Sequence, residues 1–175
     1  MLEIEVVAST RLSPETRAEL LQLFREAYGE DLTSYLDDIG PGLHYLGREA
    51  GALVSHAVWV TRWLRPGEGP PLKTAYVEMV ATHPQRERRG FASALLRRLV
   101  EDIEDSHDLA ALSPATSEIY LRMGWRFWEG PLAIRTPEGL LSTPEDEIMV
   151  YELPGRPPLD RSAPLSAEWR PGEMW

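Results

Sequence analysis

The stretch from 76 to 103, YVEMVATHPQRERRGFASALLRRLVEDI, constrains the fold most. An apolar, strand-like run ends near Ala81, a short basic turn follows, and a helical stripe begins straight after a glycine. Phe91, Ala94, Leu95 and Leu99 recur at three- to four-residue spacing, which predicts a helix that ends before Ser106-His107. A strand that feeds a helix in this way leaves the unpaired amides of the first turn, and the positive end of the helix dipole, at the strand's end. Such a junction suits an anion. Gly90 places no side chain in the way, Phe91, Ala92 and Ser93 supply the first turn, and Arg86, Arg88 and Arg89 are candidates to add charge. A solvated basic loop is the other reading of these residues.

The remaining pattern is mixed. MLEIEVVAST alternates like a first strand and lacks the basic-then-apolar order of a signal peptide. Ser13-Pro14-Glu15 caps a helix carrying Leu20, Leu21, Phe24, Ala27 and Tyr28 on its apolar stripe. GEDLTSYLDDIGPG reads as a loop or short second helix, its carboxylates solvated by default. Two strand-like runs join around Arg48 to Gly51, and RPGEGPP is a second turn region; connections this short require antiparallel neighbours. DLAALS reads as a short strand, TSEIYLRM as a short helix, Trp125 to Trp128 as a strand start and EIMVYEL as the last strand. The expected fold is a single α/β domain over 1–175, with a mixed, mostly antiparallel central sheet flanked by helices. The proline-rich tail from about 155 would suggest disorder, yet it ends in AEWRPGEMW, and two tryptophans are costly to leave in water. The tail is expected to fold back.

Charge narrows the partners. With 18 Lys+Arg against 28 Asp+Glu and a formal charge of -10, the average surface repels nucleic acid and anionic lipid and attracts cations. No run of 18 apolar residues is present to span a membrane, so a cytoplasmic protein is expected. The absence of cysteine excludes disulfides and thiolate nucleophiles, and His44, His56, His83 and His107 lack metal-ligand spacing.

The order VEMVA, a basic turn with Gly-x-Ala opening a helix, a strand, a short tyrosine-bearing helix and then GW resembles the GNAT N-acetyltransferase superfamily. More closely, VEMVATHP, SALL, ALS followed by IY and GW, WEGPLAIRTPEG with TPEDE, and the terminal EWRPGEMW resemble the aminoglycoside 2'-N-acetyltransferase family over roughly 40–175. The resemblance implies acetyl-CoA as co-substrate, its pyrophosphate on the glycine turn, an aminoglycoside as cationic acceptor, and a homodimer. One position departs. The usual superfamily turn carries Gln or Arg where Glu87 stands, so Glu87 is expected to face solvent while Arg86, Arg88 or Arg89 compensates.

Roles follow by position. Glu78 sits between Val77 and Met79 on the opposite strand face, so it is expected to point into a cleft. The resemblance makes it the general base, acting through a water, and makes Tyr120 the general acid that protonates the departing sulfur. It also makes the Val80 amide the donor to the acyl oxygen, provided the strand bulges or splays there. For the acceptor it implies Ser113, Asp146, Glu173 and the terminal carboxylate of Trp175, with Asp37 or Asp38 as the acidic-loop contribution. Direct attack in a ternary complex is expected. The alternatives are a GNAT enzyme acting on another small amine or polyamine, and a non-catalytic protein that binds CoA or a cation.

Overall fold

Ser13 begins the helical part of the chain as expected: its Oγ accepts the Thr16 N–H at 3.1 Å, Pro14 occupies the first turn, and Gly29, at φ 75°, closes the helix α1 (Pro14–Tyr28). The computed structural model describes residues 1–175. The chain divides into two compact units, Met1–Val60 with Val77–Asp102, and Thr61–Tyr76 with Ile103–Trp175. The expected α/β class holds, with a mostly antiparallel sheet and flanking helices.

In the first unit, β1 (Leu2–Ala8) pairs antiparallel with β2 (Gly42–Glu49), and β2 with the first part of β3 (Ala52–Pro66). The β2–β3 turn is only Ala50-Gly51, both at positive φ, the geometry that matches strand twist in a two-residue hairpin. The acidic loop contains the short helix α2 (Thr33–Asp38). The end of β4 (Leu72–Thr82) lies along β3, with the His83 N–H donating to the Val54 carbonyl at 2.9 Å, and α3 (Phe91–Ile103) follows the basic turn. Leu20, Leu23 and Phe24 of α1, Tyr45 and Leu46 of β2, and Leu95, Leu96 and Leu99 of α3 fill the core. The expected stripes catch Leu20, Phe24, Phe91, Leu95 and Leu99, but they omit the buried Leu23 and Leu96 and include Tyr28, which is 40% exposed.

The second unit holds the end of β3, the start of β4, β5 (Leu109–Leu112), α4 (Glu118–Arg122), β6 (Arg126–Phe127), β7 (Leu132–Thr136), β8 (Gly139–Ser142), β9 (Met149–Glu152) and β10 (Leu165–Glu168). Its strand order is β6-β9-β5-β4-β3-β10-β7-β8, and the β4–β5 and β7–β10 pairs are parallel. EIMVYEL is not the last strand. The tail contributes β10, which pairs antiparallel with β3 and parallel with β7. Its residues LSAE carry one large apolar side chain, so the strand owes its place to hydrogen-bonded neighbours on both sides rather than to propensity. The β7–β8 hairpin was likewise not anticipated, because all four residues of β8 are exposed and show no alternation. No helix is long and apolar enough to cross a membrane.

Candidate active site

Strand β4, whose residues up to Tyr76 belong to the second unit and the rest to the first, departs from regular alternation. Residues 74–79 are all buried, and Met79 sits at φ 51°, an uncommon conformation for a bulky residue. Two side chains hold the irregularity. The His56 Nδ1–H donates to the Met79 carbonyl at 2.8 Å, and the Tyr28 hydroxyl donates to the Val80 carbonyl at 2.8 Å. Glu78 does not face an open cleft, as the alternation argument supposed. It is 6% exposed, and its carboxylate accepts a hydrogen bond from the Tyr35 hydroxyl of α2.

The histidine behind Met79 belongs to a chain whose polarity is forced. A carbonyl can only accept, so His56 carries its proton on Nδ1 and offers Nε2 as acceptor. The His44 Nδ1–H must then supply that bond, at 2.9 Å, leaving the His44 Nε2 to accept from the Ser9 hydroxyl at 3.1 Å, a hydroxyl whose one proton also faces the Gly42 carbonyl at 3.2 Å. Burial, and for His56 the neighbouring imidazole, pushes the two histidines down to about 4 and about 3, so both are neutral near pH 7. They are satisfied core histidines, and no cluster of potential metal ligands is present.

The basic turn is built around Glu49, which sequence reasoning missed. Arg89 grips its carboxylate in a bidentate pair at 2.7 and 2.5 Å, and the Arg86 Nε lies 3.2 Å from it. Of the three candidate arginines, only Arg88 has no ion pair. Glu87 is exposed, as expected. Arg88 and Gly90 adopt left-handed conformations (φ 60° and 80°), and the Gly90 carbonyl accepts the Ala94 N–H at 3.0 Å, opening α3. A Cβ at Gly90 would meet nothing within 4 Å, and the first turn of α3 contains no acidic residue. An open helix N-terminus without acidic side chains is an arrangement that suits an anion.

Around Asp37 the structure distinguishes the two candidates. Both are exposed, but Asp37 is paired with Arg17 at 2.7 Å, whereas Asp38 has no ion pair. On the same helix, Tyr35 is the residue that reaches Glu78. Neither Tyr35 nor Glu49 carried a sequence signal, because each acts through a partner distant in the chain.

In the second unit, Tyr120 is 8% exposed on α4, stacked edge-on against Trp125 with ring centroids 5.9 Å apart. Burial pushes its phenol up to about 12, so it stays protonated at neutral pH. Ser113 is exposed directly after β5. A cleft of about 420 Å³ is lined by Trp128, Glu129, Thr143, Asp146 and Glu147 among others. Thr143 joins two expected acceptor residues: its carbonyl takes the Asp146 N–H at 3.2 Å, and its hydroxyl accepts the Trp175 Nε1–H at 2.8 Å. Trp175 is 7% exposed, so the tail does fold back, and Glu173 projects from it into solvent.

The chain matches the acetyltransferase (GNAT) domain over residues 10–128. It is 32% identical to an aminoglycoside 2'-N-acetyltransferase of Mycolicibacterium fortuitum, over 97% of this chain and 90% of that one. The chain belongs to the aminoglycoside 2'-N-acetyltransferase family of the GNAT superfamily. Solved GNAT structures share its fold. A GNAT family N-acetyltransferase (YhbS) from Escherichia coli, in complex with CoA, matches at TM-score 0.65 and 14% identity, covering 97% of this chain and 89% of that chain. A GNAT acetyltransferase from Brucella melitensis, in complex with acetyl-CoA, matches at TM-score 0.60 and 14% identity over 90% and 92%. Eis1 from Mycobacterium abscessus matches at TM-score 0.61 and 21% identity, over 76% of this chain and 33% of that one, so this GNAT chain spans about a third of its length.

Proposed function

We propose that this acetyltransferase transfers acetyl from acetyl-CoA to the 2'-amine of an aminoglycoside, by direct attack in a ternary complex. The observation that carries the acceptor class is the ordered tail: Trp175 is seated on Thr143, which also takes the Asp146 N–H, beside a cleft whose charged lining residues are all acidic. A polycationic sugar fits such a lining. Similarity to GNAT structures in complex with CoA and acetyl-CoA supports acetyl-CoA as the co-substrate. Acetyl-CoA supplies the acetyl group and, once transfer is complete, a thiolate that must be protonated.

The chain's own groups have separate tasks. Gly90, Phe91, Ala92 and Ser93, with Arg88 and, on release from Glu49, Arg86 and Arg89, hold the pyrophosphate. The Val80 N–H donates toward the acyl oxygen as negative charge grows there. Glu78 removes the amine proton through a water, oriented by Tyr35, and the protonated Tyr120 phenol gives its proton to the sulfur. Asp38 or Asp37, Ser113, Asp146, Glu173 and the terminal carboxylate bind the acceptor's ammonium and hydroxyl groups. Two copies associate as a homodimer, which light scattering tests by mass.

Thiol release from acetyl-CoA is the test, with kanamycin-, gentamicin- and amikacin-type acceptors set against spermidine. Turnover is expected with aminoglycosides bearing a 2'-amine and not with those bearing a 2'-hydroxyl. No turnover with any 2'-amino acceptor overturns the reading, and turnover with spermidine alone establishes a polyamine acetyltransferase instead.

A further inference from the structure

Beyond β10 the chain forms no helix or strand, and Trp169, Pro171, Gly172 and Glu173 are exposed. The segment is nevertheless tied at both ends by one side chain. Arg62, on β3 and only 1% exposed, donates from Nη1 to the Met174 carbonyl at 2.6 Å and from Nη2 to the Glu168 carbonyl at 2.7 Å. Its guanidinium lies 5.1 Å from the centroid of the Tyr76 ring, and that of Arg170, inside the bridged segment, lies 5.6 Å from the same ring. The Arg170 Nε–H then donates to the Glu173 carbonyl at 2.5 Å, closing the turn at Gly172 (φ 76°).

A buried cation is tolerated only where its donors are engaged, and here two of them go to main-chain oxygens six residues apart in the tail. The planar fork of a guanidinium can bridge two such acceptors; an ammonium, as a compact point charge, matches that geometry poorly. The residues between the bridged carbonyls include Glu173, and Trp175 follows directly after the second.

We propose that Arg62 is a positioning residue for acceptor specificity: it clamps both ends of the tail so that Glu173 and the terminal carboxylate are held ready for a cationic acceptor. The identity of that acceptor rests on the aminoglycoside reading; the clamp itself does not.

The test compares wild type with Arg62→Met and Arg62→Lys by two independent readouts. Hydrogen–deuterium exchange of the full-length protein is expected to quicken in residues 169–175 in both variants, with β1 and α3 unchanged. In steady-state kinetics the acceptor KM is expected to rise roughly tenfold, the ratio that loss of a charged hydrogen bond carries, while the acetyl-CoA KM stays put. In a chain lacking residues 170–175, Arg62→Met is expected to add nothing further to the acceptor KM, since Glu173, the terminal carboxylate and the Met174 end of the clamp are then gone. Unchanged exchange in folded variants, an unchanged acceptor KM, or a fully additive effect in the truncated chain each overturn the proposal. If the wild type acetylates no aminoglycoside, the functional reading fails, and the exchange measurement still decides the clamp. Should Arg62→Met fail to fold, Arg62→Lys carries both readouts.

Discussion

Glu78 shows how far a single position can be read. Its place in VEMVA and the family likeness single it out, but strand alternation misplaces its side chain, because Met79 turns left-handed and the carboxylate ends buried against Tyr35. If Glu78 is the base, Glu78→Gln lowers kcat by about 10²–10⁴ while leaving both KM values within a few-fold. Tyr35→Phe, which removes only the donor to that carboxylate, is expected to have a smaller effect, about tenfold on kcat, read in the same assay. The basic turn offers a second residue-level expectation. Glu49 holds Arg86 and Arg89, so an incoming pyrophosphate competes with a carboxylate already in place. Glu49→Gln should lower the acetyl-CoA KM, with the largest gain at low ionic strength where surface charge is least screened. An unchanged KM would mean that the two arginines do not reach the cofactor.

At the scale of elements, α1, α3 and the β2–β3 hairpin were legible because each carries its own local chemistry: a serine cap, a 3.6-residue apolar stripe, a two-residue turn. β8 and β10 were not, since one is wholly exposed and the other is defined by the strands beside it. The paired strands β1 to β4 also enclose the imidazoles of His44 and His56, packed beside Phe24 and linked to Ser9 and the Met79 carbonyl. Above about pH 6.5, the ordinary histidine value, neither folded nor unfolded chain binds these protons, so they do not affect stability. Below it the unfolded chain takes them up while the folded chain, held near 4 and 3, does not. Stability is therefore expected to fall as pH drops from about 6.5 toward the folded values, by up to about 1.4 kcal/mol per pH unit for each histidine. Urea unfolding at pH 7, 6 and 5 checks this slope, and His44→Asn should reduce it.

For the molecule as a whole, the net charge of -10 and the basic turn are expected to address different partners under the proposed function. The acceptor is expected to be drawn by the acidic surface, so its KM should rise with added salt, more steeply for a tri- or tetra-cationic aminoglycoside than for a monoamine, in a thiol-release assay. The fold class and the order of the chemistry-bearing segments were readable because the turn and the carboxy-terminal motif are contiguous in sequence. Tyr35 on Glu78, Glu49 on the arginines and Arg62 on the tail were not, since each is a long-range pairing between residues that look ordinary alone. The one-way chain from Ser9 through both histidines to Met79 has a further consequence. Its two ring N–H protons are sealed from solvent and fixed to one nitrogen each, so proton NMR should find two slowly exchanging downfield imidazole resonances, a label-free reporter of the strand that carries Glu78.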